Sequence, residues 1–333
     1  MINHPIDVNK GTDVIVIFGP TASGKSELAV QLAQHINGVI INADSAQMYF
    51  DLPILSNIPT LQEQGGIIHK LFGFLPLFAC KAIPTTSPNS AFCNQDFSVG
   101  KWLKLVKNEL ENIKNLNKIP IVVGGSGLYI SSLLEGISDI PHSFKEKNLA
   151  QEVFNNLGYT DFLKLITSID PEFTKKFTDT QRLLRNYEVF LMTGQKLSSL
   201  HALPKQKVFP GNFINIFVSK PREQLYKVIN QRFLKMVERG AITEVKSLPS
   251  EVVKLQSNLS ILKNLKKVLG LYEISLFLNN QCTLVQAIEQ SQTKTRQYAK
   301  RQLTWFNNKI SPTIIINNHD DKNTLKNMFK RSN

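Results

Sequence analysis

Five consecutive apolar residues, Val14 to Phe18, run directly into the glycine-bounded segment GPTASGKS, and apolar residues at helical spacing follow at Leu28, Leu32 and Ile36. This pattern predicts a buried strand, a tight loop and a helix, in that order. A second short apolar run within VIINADSAQMY, Val39 to Tyr49, predicts a strand ending at Asp44 and Ser45. Phe97, Leu103, Val106, Leu110 and Ile113 predict a helix between Asp96 and Ile113, and PIVVGGSGLYI from Pro120 repeats the strand-to-glycine-turn grammar with Gly124, Gly125 and Ser126. From about Ile137 to Leu203 the chain reads as charged amphipathic helices without strand signals. Ile214 to Val218 restores a strand, and Leu225, Ile229, Phe233, Met236 and Val237 mark the buried face of the next helix, leaving Arg232 off that stripe. A last helix is predicted from about Leu284 to Asn307. The alternation specifies an α/β fold in which a parallel sheet is flanked by helices, with an all-helical domain at 138–203 inserted between core segments 1–137 and 204–333. Residues 50–93, broken by prolines and carrying the apolar patch Phe72 to Cys80, fit a ligand-facing wall or a surface flap equally.

The loop carries the first chemistry. Gly19, Pro20, Thr21, Ala22, Ser23, Gly24, Lys25 and Ser26 fit G-x-x-x-x-G-K-[ST], the pattern of a P-loop NTPase-like sheet. Its backbone N–H groups and helix N-terminus converge on phosphate oxygens while the lysine neutralises charge and the serine reaches Mg²⁺. A glycine-rich turn that binds nothing is the bland alternative. In an open parallel sheet the ligand cleft lies beyond the carboxyl ends of the strands, which puts Asp44 beside the loop as either a general base or a helix cap. The IVVGG strand ends without the acid that a motor-type NTPase uses to hold Mg²⁺ and orient water. In the insert, QRLLRNYEVFLMTGQKL places Arg182 and Arg185 on one helical face, free for a polyanion or paired with Asp179 and Glu188. TKTRQYAKRQLTWF in the last helix interleaves cations with Tyr298, Trp305 and Phe306, which suits single-stranded nucleic acid or an amphipathic helix with a core aromatic face.

Charge narrows the partner. Lys and Arg outnumber Asp and Glu by 39 to 26, a net +13, which favours a polyanion such as nucleic acid. Three scattered cysteines, Cys80, Cys93 and Cys282, form neither a disulfide framework nor a zinc site, and suggest reduced thiols. No stretch is apolar for long enough to span a membrane, and the first residues lack a secretory pattern, so a cytoplasmic, unanchored protein is expected. The Asn/Lys-rich tail after Ile316 has the composition of a disordered segment.

GPTASGKS, ADSAQMY and TRQYAKRQLTW, in this order, resemble the tRNA dimethylallyltransferase family, with weaker support from PIVVGGSGLY, QRLLRNYEVF, NQRF and VLGLYEI. The resemblance runs nearly end to end and implies a donor, dimethylallyl diphosphate, held by the phosphate loop with Mg²⁺ near Ser26. The acceptor it implies is the exocyclic amine of the adenine 3′-adjacent to the anticodon, in the anticodon stem-loop of tRNAs reading codons that begin with U. By residue match, Asp44 is the base, and Lys25, Thr21 and Arg232 assist the leaving diphosphate. Ser45, Ala46, Gln47, Ser126, Gln181, Arg182, Leu183, Leu184 and Arg185 fall where the family meets tRNA, again with Asp44. A monomer is expected. Three positions depart from the family pattern: Ile58 stands for a lysine, Gly73 for an acid and Asn186 for an alanine. Rival readings are a small-molecule kinase, a prenyltransferase acting on free adenine nucleotides, and an RNA-binding protein with a decayed site.

Overall fold

The computed structural model describes residues 6–7, 12–77, 97–138, 140–141, 144–253, 267–317 and 329–330. Cys80, Cys93, the end of the Phe72 to Cys80 patch and the tail, apart from Asn317 and Phe329–Lys330, lie outside them. The chain forms two compact units, one of Met1–Leu134 with Phe209–Asn333 and the other of Glu135–Val208.

The first unit is built on strands β1 (Ile6–Asp7), β2 (Val14–Phe18), β3 (Gly38–Asn42), β4 (His69–Lys70), β5 (Ile119–Gly124), β6 (Phe213–Val218), β7 (Ile314–Ile316) and β8 (Phe329–Lys330). Six of them form a parallel sheet in the order β4-β3-β5-β2-β6-β7, and β1 pairs with β8. A strand covered on both faces carries no polar alternation, and every residue of β2 is buried. In register, Phe18 at its end sits beside Gly124 and Phe217. Pro120, which lacks an N–H, is tolerated near the start of β5. Helix Val99–Asn115 buries Trp102, Leu103, Val106, Leu110 and Ile113. Phe97 lies just before it, because Ser98 caps the helix by accepting from the Lys101 amide. The long final helix, Leu284–Lys309, starts with a reciprocal Thr283–Gln286 capping box. Its Lys294 pairs with Glu273, a buried carboxylate on helix Leu271–Leu278.

The second unit contains helices Phe144–Ile169, Pro171–Thr174, Thr180–Thr193 and Leu197–Ala202. The first of these breaks at Gly158, whose φ of 70° lies in the left-handed region. Gly194 ends the third in the same conformation. Phe162, Ile166, Phe173, Leu183, Val189 and Leu197 form its core.

Asp170, fully buried, ties three of these helices together. Its carboxylate accepts from the Ser198 hydroxyl (2.6 Å), the Ser198 amide (2.9 Å), the Asn186 side chain (3.0 Å) and the Phe173 amide (3.2 Å). Asn186, one of the three departures from the resembled pattern, thus donates to this carboxylate. Burial alone would raise the Asp170 pKa, but the Ser198, Asn186 and Phe173 donors outweigh it and hold the pKa below the usual value. A depressed carboxylate contributes stability in full above its unfolded value near pH ~4, and that contribution is lost as pH falls through the folded value. Asp170→Asn turns an amide toward donors and is expected to cost ~2–3 kcal/mol. Faster amide hydrogen exchange across residues 144–202 checks this, and unchanged exchange would show that the cluster is dispensable.

Candidate active site

The phosphate loop leaves β2 at Gly19, where a side chain would strike the Val218 carbonyl at 2.0 Å. Ala22 and Gly24 both have positive φ, 65° and 95°, and this curls the chain so that Lys25 opens the helix Lys25–Ile36. The Lys25 ammonium reaches back over the loop to the Pro20 carbonyl at 3.3 Å and is buried. Burial lowers its pKa to about 8, the charge of Asp44 works against that fall, and Arg232 adds to it. Ser26, in the first helical turn, is exposed.

Thr21 is held from both sides. Its amide donates to Gln302 Oε1 at 2.8 Å, and its hydroxyl accepts from Arg232 Nη2 at 2.6 Å. A guanidinium only donates, so the Thr21 hydroxyl proton is free to serve another acceptor. Arg232 leaves the buried stripe of helix Arg222–Glu238 to reach this point. Burial lowers its pKa, and Asp44 opposes the shift. Three elements distant in sequence thus bring Thr21, Lys25, Arg232 and the charge of Asp44 together.

Asp44 follows β3 and is fixed through its neighbour. The Asn42 side-chain oxygen accepts from the Asp44 amide (2.8 Å), and its Nδ2 donates to the Asp44 and Leu71 carbonyls (both 3.0 Å). The Asp44 Oδ1 accepts from the Ala46 amide at 3.0 Å, while Oδ2 accepts no hydrogen bond among the described residues. Ser45, not Asp44, stands at the N-cap of the 3₁₀ turn Ala46–Met48. Asp44 therefore makes a local turn and still keeps one oxygen available. Gly125 flanks it: a side chain there would lie 3.4 Å from Oδ2 and 2.4 Å from Gln302 Nε2.

Ser126 accepts from the Ser45 amide at 2.9 Å and donates to its hydroxyl at 3.2 Å, clasping the ends of β3 and β5. Gln47 is engaged too, donating to the Asn57 carbonyl at 2.6 Å. A cleft beside the loop is lined by Lys25, Ser26, Gln47, Pro59, His69 and Phe72, among others, so the described part of residues 50–93 serves as wall. His69 Nδ1 meets the Ile67 carbonyl at 2.9 Å, so that nitrogen carries the proton, and burial lowers the ring's pKa. Ile58 and Gly73, the two departures beside this cleft, face each other. A side chain at Gly73 would approach Ile58 Cδ1 to 3.3 Å from a φ of 51°, so the two departures are neighbours in space and glycine leaves room for Ile58.

Several sequence expectations need correction. Leu183 is fully buried and Leu184 packs against the same core, so their side chains are not an RNA surface. Arg182 pairs with Asp179 at 3.2 Å and lies over the Phe177 ring. Arg185 pairs with Glu188 at 2.6 Å and donates to the Pro141 carbonyl. Gln181 and Arg182 remain exposed. In the final helix Phe306 is core, and the Trp305 Nε1 donates to Ser131 at 3.2 Å while its ring fills the space over Gly127. Tyr298 faces Ser126 and Gln302, and burial with the nearby Asp44 raises its pKa. Tyr298 and Trp305 are half-buried and bonded into the site, and the exposed cations of the same stretch are Lys294, Lys300 and Arg301. Asn42, His69 and Gln302 were missed as site residues. Gln302 lies within TRQYAKRQLTW, whose buried face is marked by polar and small residues.

Two family models match the chain: IPP transferase over residues 47–309 and isopentenyl transferase over residues 12–68. The tRNA dimethylallyltransferase of Rickettsia conorii is 38% identical over 331 residues, 97% of this chain and 85% of the relative. That of Pelagibacter ubique is 38% identical over 312 residues, 93% of each. The crystal structure of a tRNA isopentenylpyrophosphate transferase from Bacillus halodurans superposes with a TM-score of 0.62 at 27% identity, covering 94% of this chain and 92% of its own. A eukaryotic dimethylallyltransferase acting on tRNA superposes with a TM-score of 0.68 at 29% identity, covering 88% of this chain and 69% of its own.

Proposed function

The chain belongs to the IPP transferase family, and from that membership we propose the reaction in detail: a dimethylallyl group passes from dimethylallyl diphosphate to a tRNA adenine. The acceptor is the exocyclic amine of the adenine 3′-adjacent to the anticodon, in tRNAs reading codons that begin with U, and diphosphate is released. The observation that carries this reading is the convergence of Lys25, Thr21 and Arg232 on a phosphate loop whose neighbour is a carboxylate, Asp44, with a free oxygen.

The diphosphate sits in the loop Gly19–Ser26, on backbone amides other than those of Thr21 and Ser23, which Gln302 and the Pro20 carbonyl already take. As the allylic C–O bond breaks, its electron pair leaves with the diphosphate, and the Lys25 ammonium, the Arg232 guanidinium and the Thr21 hydroxyl meet the growing charge. The amine's lone pair forms the new C–N bond, and its proton passes to Asp44 Oδ2. The target base must first leave its stack, at a cost of a few kcal/mol that RNA contacts offset. Among the described residues no three His, Cys, Asp or Glu side chains converge as a metal site. β5 also ends at Gly124, where any side chain would strike the Ala43 carbonyl at 2.1 Å. Such a donor set suits an ion that keeps its waters and phosphate oxygens. We assign Ser26 as the chain's hydroxyl toward Mg²⁺, which when bound would offset further charge on the diphosphate.

Incubation with unmodified tRNA and labelled dimethylallyl diphosphate, followed by nucleoside analysis, tests the proposal: label is expected in isopentenyladenosine beside the anticodon. Label in free nucleotides, or phosphate transfer from ATP instead, would overturn it. The net charge of +13 further predicts that tRNA affinity drops at least ~10-fold between 50 and 200 mM salt, through counterion release. Filter binding measures it, and a salt-independent affinity would mean that the basic surface does not meet phosphates. No helix among the described residues is long and apolar enough to cross a membrane. We propose a cytoplasmic monomer.

A further inference from the structure

We infer that Gln302 is a positioning residue that acts through Thr21, an inference that rests on the prenyl-transfer reading. Gln302 lies on the final helix, 4% exposed and 281 residues from the loop residue it holds. Its two amide groups serve two different turns. Oε1 accepts from the Thr21 amide at 2.8 Å, and Nε2 donates to the Gly125 carbonyl at 2.8 Å. The second bond is the anchor, since the turn after β5 is itself clasped to β3 through Ser126 and Ser45. Gly125 has to be glycine for this approach, because a side chain would overlap Nε2 at 2.4 Å.

The first bond fixes the Thr21 peptide plane, and the plane in turn sets where the hydroxyl points. Arg232 completes the restraint by donating to that hydroxyl, which holds the oxygen in place and leaves its proton for another acceptor. Loss of Gln302 would leave the amide without its acceptor and loosen the Thr21 side of that peptide, while its other side, the Pro20 carbonyl, stays held by the Ser23 amide at 3.2 Å and the Lys25 ammonium at 3.3 Å. The geometry therefore assigns Gln302 to the chemical step more than to donor binding. A displacement of about 1 Å in such a group costs up to ~10²-fold in rate.

A double-mutant cycle with the full-length protein distinguishes positioning from general support of the fold. The variants are Gln302→Met, Thr21→Val and their combination, with single-turnover transfer at saturating tRNA and donor as the readout. Gln302→Met is expected to slow transfer at least ~10-fold in the parent and less than ~3-fold in the Thr21→Val background, with donor affinity within ~3-fold in both. Equal loss in the two backgrounds, an unchanged rate, or a loss confined to donor affinity would overturn the inference. If Gln302→Met does not fold, Gln302→Asn carries the same cycle, since its amide is one methylene too short to span both partners. A parent protein that transfers no prenyl group to tRNA would overturn the inference together with the prenyl-transfer reading on which it rests, whereas an active parent with an additive cycle overturns the inference alone.

Discussion

Lys25→Met is expected to abolish prenyl transfer in a protein that folds at least as stably as the parent. The two halves of this result have one cause. The ammonium is buried beside Arg232, and burial is the main reason its pKa sits at about 8. Holding the charge there is unfavourable, on the order of 3 kcal/mol at neutral pH given the ordinary lysine value near 10.4. The unfolded chain binds this proton more tightly, so between about pH 8 and 10.4 the stability of the parent rises with pH, and at neutral pH the strain is present in full. Methionine fills similar space without a charge and removes the strain. The same change removes the loop's own ammonium from the departing diphosphate, and one preorganised electrostatic donor is worth ~10²–10³ in rate. Donor affinity of the free parent should also weaken as pH rises past about 8, because the neutral amine offers no charge to the phosphates. Thermal unfolding, single-turnover transfer and donor binding against pH check the three parts. A folded Lys25→Met protein with near-parent turnover would remove the phosphate-loop mechanism, and a markedly destabilised one would contradict the strain argument.

Most of the sheet and the loop were legible because their signals are local. Val14 to Phe18, the glycines and the helical spacing after them sit within one stretch, and a strand buried on both faces announces itself by unbroken apolarity. The partners of Thr21 were not legible in the periodicity, and Arg232 entered as a site residue only through the family resemblance. Arg232 and Gln302 lie 211 and 281 residues away, and periodicity carries no information about which polar side chain meets which loop. The final helix shows the same limit in another form. Its buried face runs Ala287, Ser291, Thr295, Ala299, Gln302 and Phe306, at helical spacing but with few apolar members. A hydrophobic reading therefore directs attention to Tyr298 and Trp305 as exposed aromatics, whereas Ser126, Gln302 and Ser131 supply polar partners that let them turn inward. Asn186 is explained by Asp170, a residue 16 positions away at the N-cap of another helix, and Ile58 and Gly73 lie close in space though 15 positions apart.

Asp44→Asn separates a base from a turn. If Asp44 served only the turn, asparagine would replace it with little loss, because its side-chain oxygen accepts from the Ala46 amide as the carboxylate does. The Asn42 clamp on the Asp44 backbone would also be untouched. What asparagine cannot do is take a proton: the position of Oδ2, which has no donor among the described residues, becomes either an amide N–H₂ or a weakly basic carbonyl. Transfer from an amine whose lone pair is spread into a purine ring depends on that proton being accepted as the new bond forms. The single-turnover rate with saturating tRNA is thus expected to fall by ~10²–10⁴, the range for a positioned general base. Melting temperature and tRNA affinity should remain near the parent values. Lys25 and Arg232 add a control, since Asp44 opposes the depression of both their pKa values. In Asp44→Asn the Lys25 ammonium should lose its proton at a lower pH than in the parent, and the pH above which donor affinity weakens should move down with it. A rate within ~3-fold of the parent, with that pH shift present, would show that the charge of Asp44 is felt by the cations but takes no proton from the amine.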